Sequence, residues 1–179
     1  MASSNINALK HSCKTSDGDE CYTPNYALEV LLPYLDKSKT YYEATSNISS
    51  NIINCAINNG YNFLRSNGKD FLKDDLPNFD GIITNPPYSI KDKFIAKCYE
   101  INKPFALLLP VTAIQGKFRG KLFNQYGIEL LVINSRVDFT GKGSPHFGVA
   151  WFCYKILPSN LIFTDIKENN GNKSNAVKS

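Results

Sequence analysis

The stretch that decides the fold is Phe79-Asp80-Gly81-Ile82-Ile83-Thr84-Asn85-Pro86-Pro87-Tyr88. Its first half is a short, β-branched apolar run, which fits a strand buried on both faces. Two successive prolines then end the strand, because neither has an N–H to give to a ladder. Asn85 and Pro86 each precede a proline and are pushed to extended backbone, while Pro86 and Pro87 have φ fixed. The product is a stiff corner at the carboxyl end of a buried strand.

Outward from this corner, short apolar runs alternate with helical periods. Toward the N-terminus, Thr23-Pro24 opens a run in which Tyr26, Ala27, Val30, Leu31 and Tyr34 recur at helical spacing, with Thr23 as N-cap, Pro24 at the first helical position and Pro33 as the stop. Residues 39–44 (KTYYEA) read as a strand. A turn at Thr45-Ser46-Asn47 follows, then a helix with Ile48, Ile52, Ala56 and Ile57 on one face, capped by a left-handed Gly60. Residues 61–64 form a second strand and Gly68-Lys69-Asp70-Phe71 a turn. Beyond the corner come a helix carrying Ile90, Phe94, Ile95 and Cys98, an apolar strand over 105–109 stopped by Pro110, and a short helix over 118–126. Strands follow at 128–133 and 149–157, with an edge strand at 161–165.

Continuous rather than alternating apolar strands, separated by helices, imply a sheet covered on both faces. The expectation is an α/β doubly wound, mostly parallel sheet. Residues 137–148 are too few for a helical crossover, so the strands on either side pair antiparallel.

The chain of 179 residues is 42% hydrophobic, 12% aromatic and 20% charged, which suits one soluble domain and excludes a disordered or fibrous chain. Residues 1–19 and 167–179 are polar and read as loose ends around a single domain at 20–166. No run of 18 apolar residues occurs, and the N-terminus lacks a signal-peptide core, so the expected location is cytoplasmic, without membrane contact. Five cysteines, at 13, 21, 55, 98 and 153, form no CxxC pair, so reduced thiols and no metal are expected. The net charge is +4, yet residues 91–121 hold seven basic side chains against two acids. That stretch suits a phosphate-bearing partner or a solvated helix face.

Ligands of open α/β sheets gather at the carboxyl ends of the strands, where this corner lies. A rigid diproline holds the Asn85 carboxamide and the Pro86 carbonyl as neighbouring acceptors, with the Tyr88 ring beside them. Two acceptors and an aromatic face fit a planar base bearing an exocyclic amine. Such an amine is a poor nucleophile because its lone pair is delocalised. Hydrogen bonds from its two N–H groups favour a pyramidal nitrogen whose lone pair faces an electrophile, so catalysis rests on orientation rather than on a strong base.

Asn85-Pro86-Pro87-Tyr88 at the end of FDGIIT resembles the catalytic motif of amino-group methyltransferases, the N6-adenine DNA methyltransferases above all. Chance produces this four-residue string in on the order of one such chain in a thousand. The similarity to small phage and prophage adenine methyltransferases spans roughly residues 20 to 165, including ECYTP, GKDF, KPFALLLP and KGSPHF. It implies a Rossmann-like class I methyltransferase fold, S-adenosylmethionine over the first two strands, and a host-cytoplasm location if the chain is phage-encoded. It assigns Asn85, Pro86, Pro87 and Tyr88 to the acceptor site, with Tyr88 stacking on the base.

The donor side departs from the family, which has an acid and a glycine-rich turn after the first strand. This chain has Glu43-Ala44-Thr45-Ser46-Asn47-Ile48-Ser49, without glycine. Asn47 is the residue best able to replace one, being the next most tolerant of positive φ. The resemblance places Glu43 toward the sulfonium or a cofactor hydroxyl, with Thr45 and Asn47 in the turn beside it. Ser66 or Asn67 would reach a ribose hydroxyl, Asp70 would accept from the cofactor amine and Phe71 would pack on its ring. Thr23 and Pro24 would close over the methionine end. Lys91, Lys93, Lys97, Lys117 and Arg119 are candidate phosphate contacts, and Ser144 to Phe147, with His146, candidate cleft-lining residues.

Only residues 111–126 and 136–148 are free to read a sequence, so specificity is low or comes from a protein partner. Two other readings stay open: a binding module with a degenerate donor site, and a methyltransferase whose acceptor is an RNA base or a protein glutamine.

Overall fold

The computed structural model describes residues 23–46, 50–139 and 147–166. Seven strands form one sheet: β1 (Thr40–Glu43), β2 (Asn62–Arg65), β3 (Gly81–Thr84), β4 (Phe105–Pro110), β5 (Glu129–Ile133), β6 (Val149–Tyr154) and β7 (Leu161–Thr164). Their order is β2-β1-β3-β4-β6-β5-β7. The pairs β1–β2, β1–β3, β3–β4 and β5–β7 are parallel, and β6 runs antiparallel to both its neighbours, β4 and β5. This is the expected doubly wound, Rossmann-like and mostly parallel arrangement, with β6 alone reversed and β7 as the edge strand.

Strand alternation divides the core into two layers. Tyr41, Ile83, Ala106, Leu108, Leu131 and Trp151 face one side, where α1 (Asn25–Glu29) contributes Ala27 and Leu28 and α2 (Asn51–Asn58) contributes Ile52, Cys55 and Ala56. Tyr42, Ile82, Phe105, Leu107, Leu109 and Phe152 face the other. There α3 (Lys91–Ile101) brings Phe94, Ile95 and Cys98, and α4 (Lys117–Tyr126) brings Leu122 and Phe123. β3 is buried along its whole length, as its apolar sequence requires. Gly81 opens it because a Cβ there would lie 3.0 Å from both the Pro104 carbonyl and the Tyr41 ring.

Three long side chains pin the segment before β1 to the sheet layer. Trp151 Nε1 donates to the Ala27 carbonyl at 2.6 Å, Tyr61 Oη to the Leu32 carbonyl at 2.6 Å, and Tyr41 Oη accepts from the Asp36 N–H at 2.9 Å. The helix here is shorter than its apolar spacing predicts. It ends at Glu29, and Pro33 sits in a separate 3-10 turn, Leu32–Tyr34. Pro24 rather than Thr23 occupies the N-cap, and no side chain caps the helix, because the Thr23 hydroxyl has another partner.

α2 differs from the reading in two respects. Its N-cap is Ser50, whose hydroxyl accepts from the Ile53 N–H at 3.3 Å, and Ile57 is 53% exposed instead of sharing the buried face. Gly60 follows the helix at φ +81°, as expected. Residues 1–22, 47–49, 140–146 and 167–179 lie outside the described residues, and with them Asn47, Ser144, His146 and both loose ends. Among the described residues no helix is long and apolar enough to cross a membrane, and no group of three or more His, Cys, Asp or Glu is placed to hold a metal ion.

Candidate active site

From β1 the chain winds outward to β2 on one side, then returns to place β3 on the other. The strand order therefore reverses between β1 and β3, and the crevice that forms at such a reversal lies beyond their carboxyl ends. Glu43 ends β1 and Thr84-Asn85 ends β3, so both candidate segments meet at this point.

A buried carboxylate joins them. Glu43 is 2% exposed, and its Oε1 accepts from Thr84 Oγ1 at 2.5 Å, Thr45 Oγ1 at 2.8 Å and the Thr45 N–H at 3.2 Å. The two threonine hydroxyls are 3.0 Å apart, and Thr45 Oγ1 also lies 3.4 Å from the Asn85 carbonyl. Burying a charge is unfavourable unless donors surround it, and here three do. The end of β2 is tied in as well, through Ser66 Oγ donating to the Ser46 carbonyl.

The corner itself is held from outside the sheet. Asn85 Nδ2 donates to Thr23 Oγ1 at 3.1 Å. Its other end, Oδ1, is buried and has no hydrogen-bond partner among the described residues. Pro86 is buried while Asn85, Pro87 and Tyr88 are half-buried, and no hydrogen bond from a described residue reaches the Pro86 carbonyl. The Pro87 carbonyl, by contrast, takes the Ile90 N–H at 3.1 Å, and Lys91 Nζ donates to the Tyr88 carbonyl at 3.1 Å.

Three buried side-chain polar atoms lack partners among the described residues: Tyr42 Oη, Asn85 Oδ1 and Tyr88 Oη. Two of the three belong to one four-residue corner. Leaving such an atom unpaired costs about 1–3 kcal/mol, so its retention calls for an explanation. Burial raises the Tyr88 phenol well above its ordinary pKa, keeping it a neutral donor. Its ring meets Phe147 edge-on, with centroids 6.0 Å apart.

Of the remaining donor-side residues, Phe71 is less open to a ligand than the resemblance implies, while Asp70 and Asn67 are exposed. Phe71 is 2% exposed, stacked on Phe94 with ring centroids 5.0 Å apart and 6.4 Å from Tyr42. Asp70 stands out from the body with its side chain 43% exposed, 3.0 Å from Lys73 Nζ, and takes the Leu72 N–H on Oδ1 at 2.9 Å. The Lys73 hydrogen bond, with help from that N–H, lowers the Asp70 carboxyl below its ordinary value. Asn67 adopts φ +51°, and Pro24 lies at the helix entry beside Thr23.

Among the cationic candidates, Lys93 and Lys117 are exposed at the first turns of α3 and α4, on the crevice side of the sheet. Lys97 pairs with Glu100 at 3.0 Å. Arg119 is committed internally: its guanidinium contacts Asp92 Oδ1 at 2.6 Å, the Ala113 carbonyl at 2.6 Å and the Gln115 carbonyl. That network explains why the starts of α3 and α4 lie together, and it occupies the edges a phosphate would use. Sequence reading overlooked Thr84 and the Thr23–Asn85 bond. A polar residue closing each of two apolar strands, YYE and IIT, was the available signal for the first; the second joins positions 62 residues apart and left none.

No family model matches this sequence, and no curated protein matches it. Among solved structures, the chain is similar to a protein of Agrobacterium tumefaciens described as an O-methyltransferase, at 11% identity and a TM-score of 0.41, covering 79% of this chain and 84% of that one. It is also similar to a protein of Vibrio vulnificus YJ016 described as a modification subunit of a type I restriction enzyme, at 12% identity and a TM-score of 0.47. That likeness covers 89% of this chain and 49% of the other, so the chain spans about half its length. Both are likenesses of fold at low identity, and neither carries a substrate to this chain.

Proposed function

We propose that this chain is an S-adenosylmethionine-dependent methyltransferase acting on the exocyclic N6 amine of adenine in DNA. The observation that supports it best is the Asn85 corner: a buried carboxamide oxygen and the following Pro86 carbonyl, neither bonded by any described residue, at the reversal point of the sheet. An unpaired acceptor pair suits a ligand group with two N–H donors.

The donor set fits the cofactor at Asp70, whose half-exposed carboxylate keeps lone pairs for an amine, and at Glu43, a negative charge at the end of β1. When bound, the cofactor supplies an electrophilic methyl carbon on a cationic sulfur. Asn85 Oδ1 and the Pro86 carbonyl hold the two amine hydrogens and turn the nitrogen lone pair away from the corner. Tyr88 bounds the ring from the side. No side chain has to remove a proton beforehand, since the amine proton becomes acidic only after the nitrogen is alkylated.

Lys93 and Lys117 are the cations placed to meet phosphates, with sequence specificity low or supplied by a protein partner. The test is transfer of labelled methyl groups to DNA, RNA and protein pools, preceded by titration calorimetry with the donor. Asn85→Ala should lower transfer to DNA about 10²–10³-fold while leaving donor affinity nearly intact. Absence of binding heat at millimolar donor overturns the proposal.

A second reading, a binding module without a donor, is favoured by two observations: Phe71 offers no open ring face, and the Ser66 hydroxyl is given to the Ser46 carbonyl. It predicts salt-sensitive DNA binding that the donor leaves unchanged.

A further inference from the structure

The Asn85 side chain is held by a residue that lies far from it in sequence. Thr23 is 5% exposed, and its hydroxyl takes the Asn85 amide hydrogen at 3.1 Å, leaving the opposite end of the carboxamide as the free acceptor. A terminal carboxamide rotates over a broad, shallow torsion, so without a tether its oxygen would not stay beside the Pro86 carbonyl. The backbone on either side of Asn85 is fixed by other means: prolines follow it, and Thr84 before it is anchored on Glu43 at 2.5 Å. The side-chain torsion is the one freedom these contacts leave, and Thr23 removes it.

Thr23 in turn is held by the helix that follows it. The Ala27 carbonyl one turn later takes Trp151 Nε1 at 2.6 Å, and Tyr26 Oη accepts from the Asp138 N–H at 2.9 Å. One strand, β6, and a loop far along the chain thereby fix the entry of α1, and the entry of α1 fixes the carboxamide.

We infer that Thr23 is a positioning residue: it acts through Asn85, aiming Oδ1 so that the corner presents two acceptors to an amine. The inference deepens the proposed function and rests on it for its kinetic consequence. Its structural part stands separately, and the experiment divides the two.

Thr23→Val keeps the shape and removes the hydroxyl, while Thr23→Ser keeps the hydroxyl. In the full chain, the two Asn85 side-chain N–H resonances are identified by their loss in Asn85→Asp. They should exchange with solvent about three- to tenfold faster in Thr23→Val, the loss of one neutral hydrogen bond, and at the wild-type rate in Thr23→Ser. Transfer to an adenine-containing single-stranded oligonucleotide at saturating donor should show kcat lowered by a similar factor in Thr23→Val and recovery in Thr23→Ser. Preference for binding adenine over hypoxanthine at the target position, which has a carbonyl in place of the amine, should fall in parallel. Unchanged Asn85 exchange in Thr23→Val overturns the inference whatever the activity. Faster exchange together with a wild-type chain that transfers no methyl group upholds the tether and overturns the function instead. Faster exchange with undiminished kcat in an active chain overturns the positioning role.

Discussion

Replacing Thr84 by valine removes one oxygen from a fully buried site and changes almost nothing in volume. What is lost is the 2.5 Å hydrogen bond to Glu43 Oε1 and the 3.0 Å contact with Thr45 Oγ1. A hydrogen bond to a charged group contributes about 1.5–3 kcal/mol. The carboxylate is not stranded by the change, because the Thr45 N–H and hydroxyl remain at 3.2 Å and 2.8 Å, so the cost belongs in the middle of that range, about 2 kcal/mol. For a chain of this size each kcal/mol moves Tm by about 2–4 °C, which gives a fall of about 4–8 °C. Urea melts should show the same loss with an unchanged slope. The charge on Glu43 accounts for part of it: in a Glu43→Gln background the same substitution should cost only about 1 kcal/mol, the value of a neutral bond. A Thr84→Val protein melting within 1 °C or so of wild type, or additive effects of the two changes, would falsify the carboxylate as the tie between β1 and the corner.

Three further outcomes follow from the same contacts. The Asp70 pKa is held below 3.8 by Lys73, so the folded state favours its carboxylate; that stabilisation is complete above pH 3.8 and fades as pH falls through the lowered value. Carboxyl NMR titration should show it, and Lys73→Ala should return Asp70 toward 3.8. Trp151→Phe leaves the Ala27 carbonyl unpaired and opens space beneath α1, costing about 3 kcal/mol in chemical denaturation; a neutral result would remove Trp151 as the anchor of that helix. Cys55, Cys98 and Cys153 are at most 3% exposed, and burial raises all three thiols, so a thiol reagent should modify them only on unfolding. Rapid labelling of the native protein at any of them contradicts that burial.

The sheet was legible because its strands are unbroken apolar runs with hard stops. FDGIIT ends at Asn85-Pro86 and FALLL at Pro110, and the structure places strand ends within one residue of both. The reversed β6 was legible from the short segment before it, since twelve residues rich in Gly, Ser and Pro are too few for a crossover helix. Helix limits were harder. Thr23 resembles an N-cap in every local respect, yet a hydroxyl serves one geometry at a time, and the tertiary partner Asn85 took it. Ile57 fits the apolar face of α2 by spacing, but the helix starts at Asn51, and its buried stripe runs instead through Ile52, Ile53, Cys55 and Ala56. For the site, position was readable and partnership was not. Glu43, Thr84 and Asn85 each end a strand in the sequence, whereas their convergence depends on β1 and β3 being neighbours.

The absence of glycine in the turn after β1 has a physical counterpart in this convergence. A glycine-rich turn brings bare backbone N–H groups against a ligand, which matters most when the ligand carries phosphates. Here the turn is shaped by side chains: Thr45 gives both its N–H and its hydroxyl to Glu43, and Ser46 lends its carbonyl to Ser66. That construction buries a carboxylate at the turn instead of displaying backbone donors, an environment suited to a cation and ill suited to a phosphate. It also ends on the Asn85 carbonyl through Thr45, so the turn and the acceptor corner share one hydrogen-bond network. A ligand that pushed Thr45 aside would disturb the corner it is meant to serve. On the proposed function, the sulfonium of S-adenosylmethionine would require no such displacement, because its attraction to Glu43 would act through space while the threonine bonds stay in place.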